Sequence, residues 1–134
     1  MFTPHITNKV AIVGIGNVGS TLAYALTLSG LATEIVLIDR NVYKAEGEAM
    51  DLMHAVPLVR PTRIYAGDYK DSQGAAITVV TAGTAQRPGE ARLDLAQRNT
   101  DIFKQIIPEI EKYNPNGLIP VSYTHLTLPT NREV

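Results

Sequence analysis

The chain of 134 residues contains neither cysteine nor tryptophan, and its charges nearly balance, with a formal net charge of −1. The absence of cysteine excludes disulfides, thiolate catalysis and cysteine-ligated metals. The balanced charge gives no sign of a surface for nucleic acid or for anionic membranes. No apolar run approaches the length of a membrane span, and the N-terminal residues lack the apolar core of a signal peptide. We therefore expect a cytoplasmic protein that binds neither nucleic acid nor membrane.

Strand-like and helix-like segments alternate along the chain. Short apolar runs rich in β-branched residues predict parallel strands at residues 9–14, 34–39, 62–67 and 75–83, and residues 118–121 could begin a fifth. Helices are predicted at residues 17–29, at residues 42–55 and, with a kink or restart at Pro108, at residues 93–113. The alternation predicts an α/β fold, a doubly wound parallel sheet of Rossmann type with helices on both faces.

The first predicted helix is indicated by the spacing of its apolar positions. They are Val18, Leu22, Ala25, Leu26 and Leu28. Their spacing favours a helix that ends at Gly30.

A glycine motif joins the first strand to that helix. Gly14, Gly16 and Gly19 form a G-x-G-x-x-G pattern, in which the first glycine permits a tight turn and the second lets the backbone approach a pyrophosphate. The third allows close packing of helix and strand, and the helix N-terminus attracts the phosphates. The motif in this context predicts dinucleotide binding.

An acidic residue ends the second strand. Asp39 lies 20 residues after Gly19, where a carboxylate accepts hydrogen bonds from an adenosine ribose. A simpler interpretation is that Asp39 only caps the following loop. The full pattern favours the ribose, and NAD over NADP, because a carboxylate repels a 2′-phosphate; the neighbouring Arg40 weakens that preference slightly.

Several segments together are more specific than the glycines. They are VAIVGIGNVGS, EIVLID, KAEGEAMDLMHA, YAGDY, TAGTAQRPGEAR and RLDLAQRNTDIFK. The combination closely resembles the lactate/malate dehydrogenase family, and within it the L-lactate dehydrogenases, from Lys9 to Ile119. The resemblance implies an NAD-binding domain with a substrate lid loop at residues 1–119 and no complete substrate domain. Residues 120–134 depart from the family pattern, and we expect them not to be native to it.

The lid of the family corresponds to residues 81–92 of this chain. The resemblance makes Arg92 the catalytic arginine that polarises the carbonyl of the bound substrate. Gln86 then occupies the substrate-discriminating position, where malate dehydrogenases have an arginine that pairs with a second carboxylate. A slip of one residue would put Arg87 there instead, although glutamine, a basic residue and Pro-Gly follow the lactate dehydrogenase pattern. Ala91 departs from the usual Thr or Ser.

The resemblance also implies a set of cofactor contacts. These cofactor-binding residues are Gly14, Gly16, Val18, Gly19, Asp39, Lys44, Tyr69, Gly83, Thr84 and Gln105. Of these, Gln105 is the position that could equally be an ordinary surface residue. No metal site is expected, since no pair of His, Asp or Glu has a convincing ligand spacing.

The family's proton-donating histidine has no counterpart here. His5, His54 and His125 all lie in other contexts, with His54 at a position that is structural in the family. Three interpretations follow: part of an L-lactate dehydrogenase that interconverts L-lactate and pyruvate but is inactive alone, part of a malate dehydrogenase, or a non-catalytic dinucleotide-binding module. The resemblance further implies homo-tetramers for the full-length enzymes, through surfaces partly outside this chain.

Overall fold

Four parallel strands form one sheet in this computed structural model, which describes residues 8–122. In the order β3-β2-β1-β4, they are β1 (Lys9–Val13), β2 (Glu34–Ile38), β3 (Arg63–Ala66) and β4 (Ile77–Val80). The helices are α1 (Asn17–Ser29), α2 (Val42–Ala55) and α3 (Arg92–Tyr113), with short 3-10 helices at Val56–Leu58 and Tyr69–Ser72. The predicted α/β parallel sheet is confirmed. His5 and His125 lie outside the described residues.

Both faces of the sheet carry a core, because alternate residues of each strand point to opposite sides. On one face Ile12, Ile35 and Leu37 pack with apolar residues of α1 and α2. On the other, Val13 and Val36 pack with apolar residues of α3. This two-sided burial explains why β1 and β2 are apolar at nearly every position.

The helix α1 begins and ends where the sequence predicts, and Gly30 terminates it in the left-handed conformation with φ 68°. Its buried face consists of small residues. The buried residues are Gly19, Ala23 and Thr27. They are small and spaced four apart, so they bring the helix axis close to the sheet.

The apolar positions that indicated the helix lie elsewhere on α1. Val18, Ala25 and Leu28 are exposed, whereas Leu22 and Leu26 are partly buried at the edge of the core. Side-chain size, which the apolar pattern does not encode, therefore determines which face of α1 meets the sheet.

The helix α3 runs through Pro108 as one element of 22 residues, so the predicted restart is wrong. The missing N–H of proline removes one helical hydrogen bond. Ile106 and Ile110, on either side of Pro108, remain buried against the sheet. Tertiary packing thus outweighs the lost hydrogen bond.

Residues 118–122 lie beside β4 in parallel orientation. Leu118 and Val121 form isolated bridges with Ile77 and Val80, and Ser122 N donates to Val80 O at 2.9 Å. The predicted fifth strand is thus present only as separate bridges. Pro120 explains the interruption, because it accepts from Val80 N through its carbonyl but has no N–H to donate.

Within residues 8–122, no helix has the length and apolar character required to cross a membrane.

A buried hydroxyl in β4 provides a test of this packing. Thr78 is fully buried, and its Oγ1 has no hydrogen-bond partner in the described part of the chain. We expect Thr78→Val to raise the free energy of unfolding by about 1 kcal/mol, because it replaces an unsatisfied hydroxyl with a methyl group of similar size. Urea unfolding followed by circular dichroism measures the change.

Thr27→Val is the matched control for that substitution. Thr27 is also buried, but its hydroxyl donates to Ala23 O at 2.8 Å. It should therefore show no gain in stability. Equal gains at both positions would contradict the assignment of Thr78 as unsatisfied.

Candidate functional site

The candidate site lies at the carboxyl ends of β1 and β4. The chain moves outward from β1 to β2 and β3, and then returns to the other side of β1 as β4. The loops after β1 and β4 consequently diverge and leave a crevice, which is where open α/β sheets bind ligands.

A cavity of about 300 Å³ occupies this crevice. Four predicted cofactor residues line it, namely Gly16, Val18, Gly83 and Thr84. The remaining lining residues are Asn17, Thr81, Ala82, Ala85, Asn99, Phe103 and Ser122. The glycine turn and the root of the lid loop therefore face the same space.

Close backbone contacts stabilise the glycine turn at the base of the crevice. Gly14 has φ 97°, and a Cβ at this position would lie 2.5 Å from Ala82 Cα, so only glycine fits. A Cβ on Gly19 would collide with the carbonyl oxygen of Gly14. The third glycine thus brings α1 against the turn itself, and Thr81 Oγ1 donates to the same carbonyl at 2.6 Å.

Gly16 has a different environment from the other two glycines. Nothing lies within 4 Å of a Cβ built at this position, and its φ of −86° is open to any residue. Packing within the described chain therefore gives no reason for glycine here. The free space belongs to the cavity, as expected where a ligand approaches the backbone.

Asp39 fastens the glycine turn to the end of β2. Its Oδ2 accepts from Ile15 N at 2.7 Å, and its Oδ1 accepts from Asn41 N at 2.8 Å. Asp39 therefore caps the following loop through Oδ1, as the simpler interpretation predicts, and it stabilises the glycine turn through Oδ2. A carboxylate can accept about four hydrogen bonds, so capacity remains for a ribose. That role stays a prediction.

Sequence reasoning missed Asn99 on α3. This residue is 5% exposed, and its Oδ1 accepts from Thr84 N at 3.0 Å and from Thr84 Oγ1 at 3.4 Å. Its position on the stripe that contains Leu95 and Ile106 was the available signal. A polar residue on a buried helix face needs a polar partner, and here that partner is the root of the lid.

The tip of the lid is a tight turn from Arg87 to Glu90. Glu90 N donates to Arg87 O at 3.0 Å, and Gly89 adopts φ 77° after Pro88, as in a type II turn. The Glu90 carboxylate accepts from Arg87 N at 2.8 Å and from Arg98 Nη2 at 2.7 Å. Hydrogen bonds from Arg98 and then from the Arg87 backbone hold the pKa of Glu90 below its usual value.

The two predicted substrate residues do not line the cavity. Gln86 is exposed, and its Nε2 donates to Glu90 O at 2.6 Å. Arg92 is exposed as the first residue of α3. The structure therefore brings the cofactor positions at Gly16, Val18 and Thr84 together but not the substrate positions.

Three further predicted residues lie outside the cavity lining. Lys44 is exposed in the first turn of α2, and Gln105 is exposed on α3. Tyr69 is half-buried near the end of β3, and burial, followed by the carboxylates of Glu109 and Asp39, raises its pKa. Asp39 and Tyr69 follow the carboxyl ends of the neighbouring parallel strands β2 and β3. His54 is exposed in the last turn of α2.

Comparisons with known proteins identify the family of this chain. The model of the lactate/malate dehydrogenase NAD-binding domain matches residues 8–123. The chain belongs to this family. Its cofactor is accordingly NAD.

Similar proteins include L-lactate dehydrogenases of known sequence. One from Clostridium botulinum (strain Langeland) is 56% identical over 121 residues, which cover 90% of this chain and 38% of that protein. One from Thermoanaerobacterium saccharolyticum is 57% identical over 111 residues, covering 83% and 36%. The chain therefore spans well under half the length of these relatives.

Solved structures of lactate dehydrogenases have the same fold. The minor L-lactate dehydrogenase from Enterococcus mundtii, in a ligand-bound form, superposes with a TM-score of 0.86 at 40% identity, covering 90% of this chain and 38% of that one. A lactate dehydrogenase from a Medee basin deep-sea metagenome library gives 0.84 at 43% identity, covering 88% and 38%.

The environment of Gly16 predicts a separation of binding from stability. We expect Gly16→Ala to lower the affinity for NADH at least about tenfold, since the added methyl enters the space open to the dinucleotide. Because no described atom would contact that methyl, the free energy of unfolding should fall by no more than about 1 kcal/mol, the cost of alanine at a helix N-cap. Fluorescence titration and urea unfolding measure the two quantities.

Gly47→Ala is the control, because position 47 in α2 is also open within 4 Å. It should leave NADH affinity unchanged and stabilise the helix by up to about 1 kcal/mol. Gly14→Ala should instead unfold the chain more easily, through its clash with Ala82. Normal NADH affinity in Gly16→Ala would place the pyrophosphate elsewhere.

Proposed function

We propose that this chain is the cofactor-binding part of an L-lactate dehydrogenase, which interconverts L-lactate and pyruvate by hydride transfer to and from NAD. The observation that carries the proposal is the shared cavity between the glycine turn and the root of the lid loop. A nicotinamide bound there lies beside the loop that would cover the substrate. A hydride donor and a water-excluding lid in one place suit carbonyl reduction.

Gln86 supports a substrate with a single carboxylate. Its amide is neutral, and burying the second carboxylate of oxaloacetate against it would be costly without a paired cation. The malate alternative needs Arg87 at the discriminating position. Arg87 begins the tight turn, and the order of glutamine, a basic residue and Pro-Gly supports Gln86 for that role.

Arg92 is the proposed catalytic residue of the lid. It is exposed at the N-terminus of α3, where the helix dipole disfavours a cation and favours an anion. When the lid excludes water, the guanidinium would stabilise the negative charge that develops on the carbonyl oxygen. Movement of the loop would be needed to bring it to the cavity.

Further assignments belong to the same proposal. Asp39 would accept from the adenosine ribose, Lys44 and Tyr69 would flank the adenosine, and Gln105 would contact the cofactor from α3. We also propose residues 1–119 as the cofactor domain and residues 120–134 as a segment foreign to the family. A cytoplasmic location, a role in glycolysis and a homo-tetrameric parent enzyme follow from the same family assignment.

For the 134-residue chain itself we propose cofactor binding without turnover. The hydride transfer needs a proton donor at the substrate, and His54 is exposed at the end of α2 rather than in the cavity lining. The chain then acts as a dinucleotide-binding module whose catalytic partners are supplied by other residues.

A binding assay and a turnover assay on the same sample test this proposal. We expect the emission of NADH to rise on titration with the chain, with weaker binding of NADPH because Asp39 repels a 2′-phosphate. The chain has no tryptophan, so the nicotinamide emission is read directly. Absorbance at 340 nm should stay constant after addition of pyruvate or of oxaloacetate.

Each result has a distinct meaning. Failure to bind NADH while folded would overturn the cofactor assignment. Steady oxidation of NADH by pyruvate would show that the chain contains its own proton donor, and faster oxidation by oxaloacetate would favour the malate alternative. Gly14→Ala, with its disrupted turn, serves as the control for non-specific NADH emission.

A further inference from the structure

One arginine of α3 holds the lid at two points. Arg98 donates from Nε and Nη2 to both carboxylate oxygens of Glu90, at 2.8 and 2.7 Å. Its Nη2 also donates to Ala85 O at 3.2 Å. The Arg98 and Glu90 side chains are only 27% and 12% exposed, so water screens this pair less than an open surface pair. A bidentate contact of this kind fixes the relative orientation of the two side chains as well as the distance between them.

Gln86 lies between these two points of attachment. Arg98 donates to the carbonyl of Ala85, which directly precedes Gln86, and to the carboxylate of Glu90. The backbone carbonyl of Glu90 in turn accepts from Gln86 Nε2 at 2.6 Å. Arg98 therefore holds both Ala85, which precedes Gln86 in the chain, and Glu90, which accepts from the Gln86 side chain. Since Arg98 does not line the cavity, its effect on substrate would be indirect.

The neighbouring residue of α3 relates this attachment to the cofactor site. Asn99 holds Thr84 at the cavity, while Arg98 holds Ala85 and Glu90 in the lid. Because residues 98 and 99 are consecutive on α3, the same turn of helix holds the cavity lining at Thr84 and the lid tip at Glu90. A segment ordered in advance loses less conformational freedom when it binds.

We propose that Arg98 is the positioning residue for substrate discrimination, holding Gln86 in place through Ala85 and Glu90. The proposal rests on the proposed function, in which Gln86 distinguishes substrates. Arg98 orders the backbone of the lid tip before substrate arrives, so that Gln86 keeps a defined position relative to Glu90. A lysine at position 98 cannot replace it, since a single ammonium lacks the planar fork.

Nuclear magnetic resonance of the 134-residue chain tests the proposal without requiring turnover. We expect the Gln86 side-chain amide resonances to differ from those of free glutamine and to move to the free position in Arg98→Gln, Arg98→Lys and Glu90→Gln. Backbone exchange of the Arg87 amide, which donates to Glu90, should rise at least about tenfold in each variant.

Gln97→Ala is the matched control on the same helix. Gln97 Nε2 donates to Asp101 Oδ1 at 3.1 Å. Within residues 8–122, no hydrogen bond joins the Gln97 side chain to the lid. It should leave the Gln86 resonances and the Arg87 exchange rate unchanged. Exchange of the β1 amides confirms that each variant is folded. If Arg98→Gln does not fold, Glu90→Gln tests the same contact from the lid.

Titration of Glu90 gives a readout that a purely structural role of Arg98 would not change. The charged groups that face its carboxylate are Arg98 on α3 and Arg87 in the lid, and they lower the pKa of Glu90 from 4.5. The attachment is therefore complete above pH 4.5 and is lost as the pH falls through the lowered pKa. We expect the Gln86 amide resonances to move to the free position with a midpoint below pH 4.5, and Glu90→Gln to show no such transition.

The outcomes separate this proposal from the preceding one. Gln86 resonances that stay at the wild-type position in Arg98→Gln and Arg98→Lys would overturn the positioning role, even with NADH bound normally. NADH binding should be retained in all three variants, because neither Arg98 nor Glu90 lines the cavity. Loss of NADH binding by the unmodified chain would instead overturn the proposed function, while the Gln86 resonances would still report on the lid.

Discussion

The close approach of backbone segments at the carboxyl end of β1 is the constraint on which the rest of the site depends. Gly14 leaves no room for a side chain beside Ala82, and Gly19 leaves none beside the carbonyl of Gly14. These contacts set how near α1 lies to the sheet and where its N-terminus points. Gly16, Asn17 and Val18 at that N-terminus line the cavity, and the N-terminus of a helix favours an anion.

The same contacts determine the direction of the lid. Thr81 donates to the Gly14 carbonyl, so the first residue of the lid is attached to the glycine turn. Asn99 then holds Thr84, and Arg98 holds Ala85 and Glu90. The loop is thus supported from the turn at its root and from α3 at its tip. An apparently irregular connection of twelve residues is fixed by contacts at both ends.

Much of the fold could be predicted because its signals are local. Apolar runs, glycine positions and the 20-residue interval to Asp39 are read along the chain, and they predicted the parallel sheet and its helices. The buried face of α1 could not be read from the apolar pattern, because its small residues Ala23 and Thr27 are determined by the distance to the sheet. Asn99 and the Arg98–Glu90 pair were missed because their partners are 15 and eight residues away and become neighbours only in the folded chain.

The two halves of the site are stabilised by different physics, and this difference suits their proposed roles. The cofactor half depends on backbone packing at Gly14 and Gly19 and on Asp39 accepting from the glycine turn. The lid depends on a partly exposed ion pair, which salt and acid weaken. Segments that must move during catalysis belong to the less stable parts of a fold. An ion pair near the surface can order such a segment without preventing its release, which a buried apolar contact of similar size would oppose more strongly.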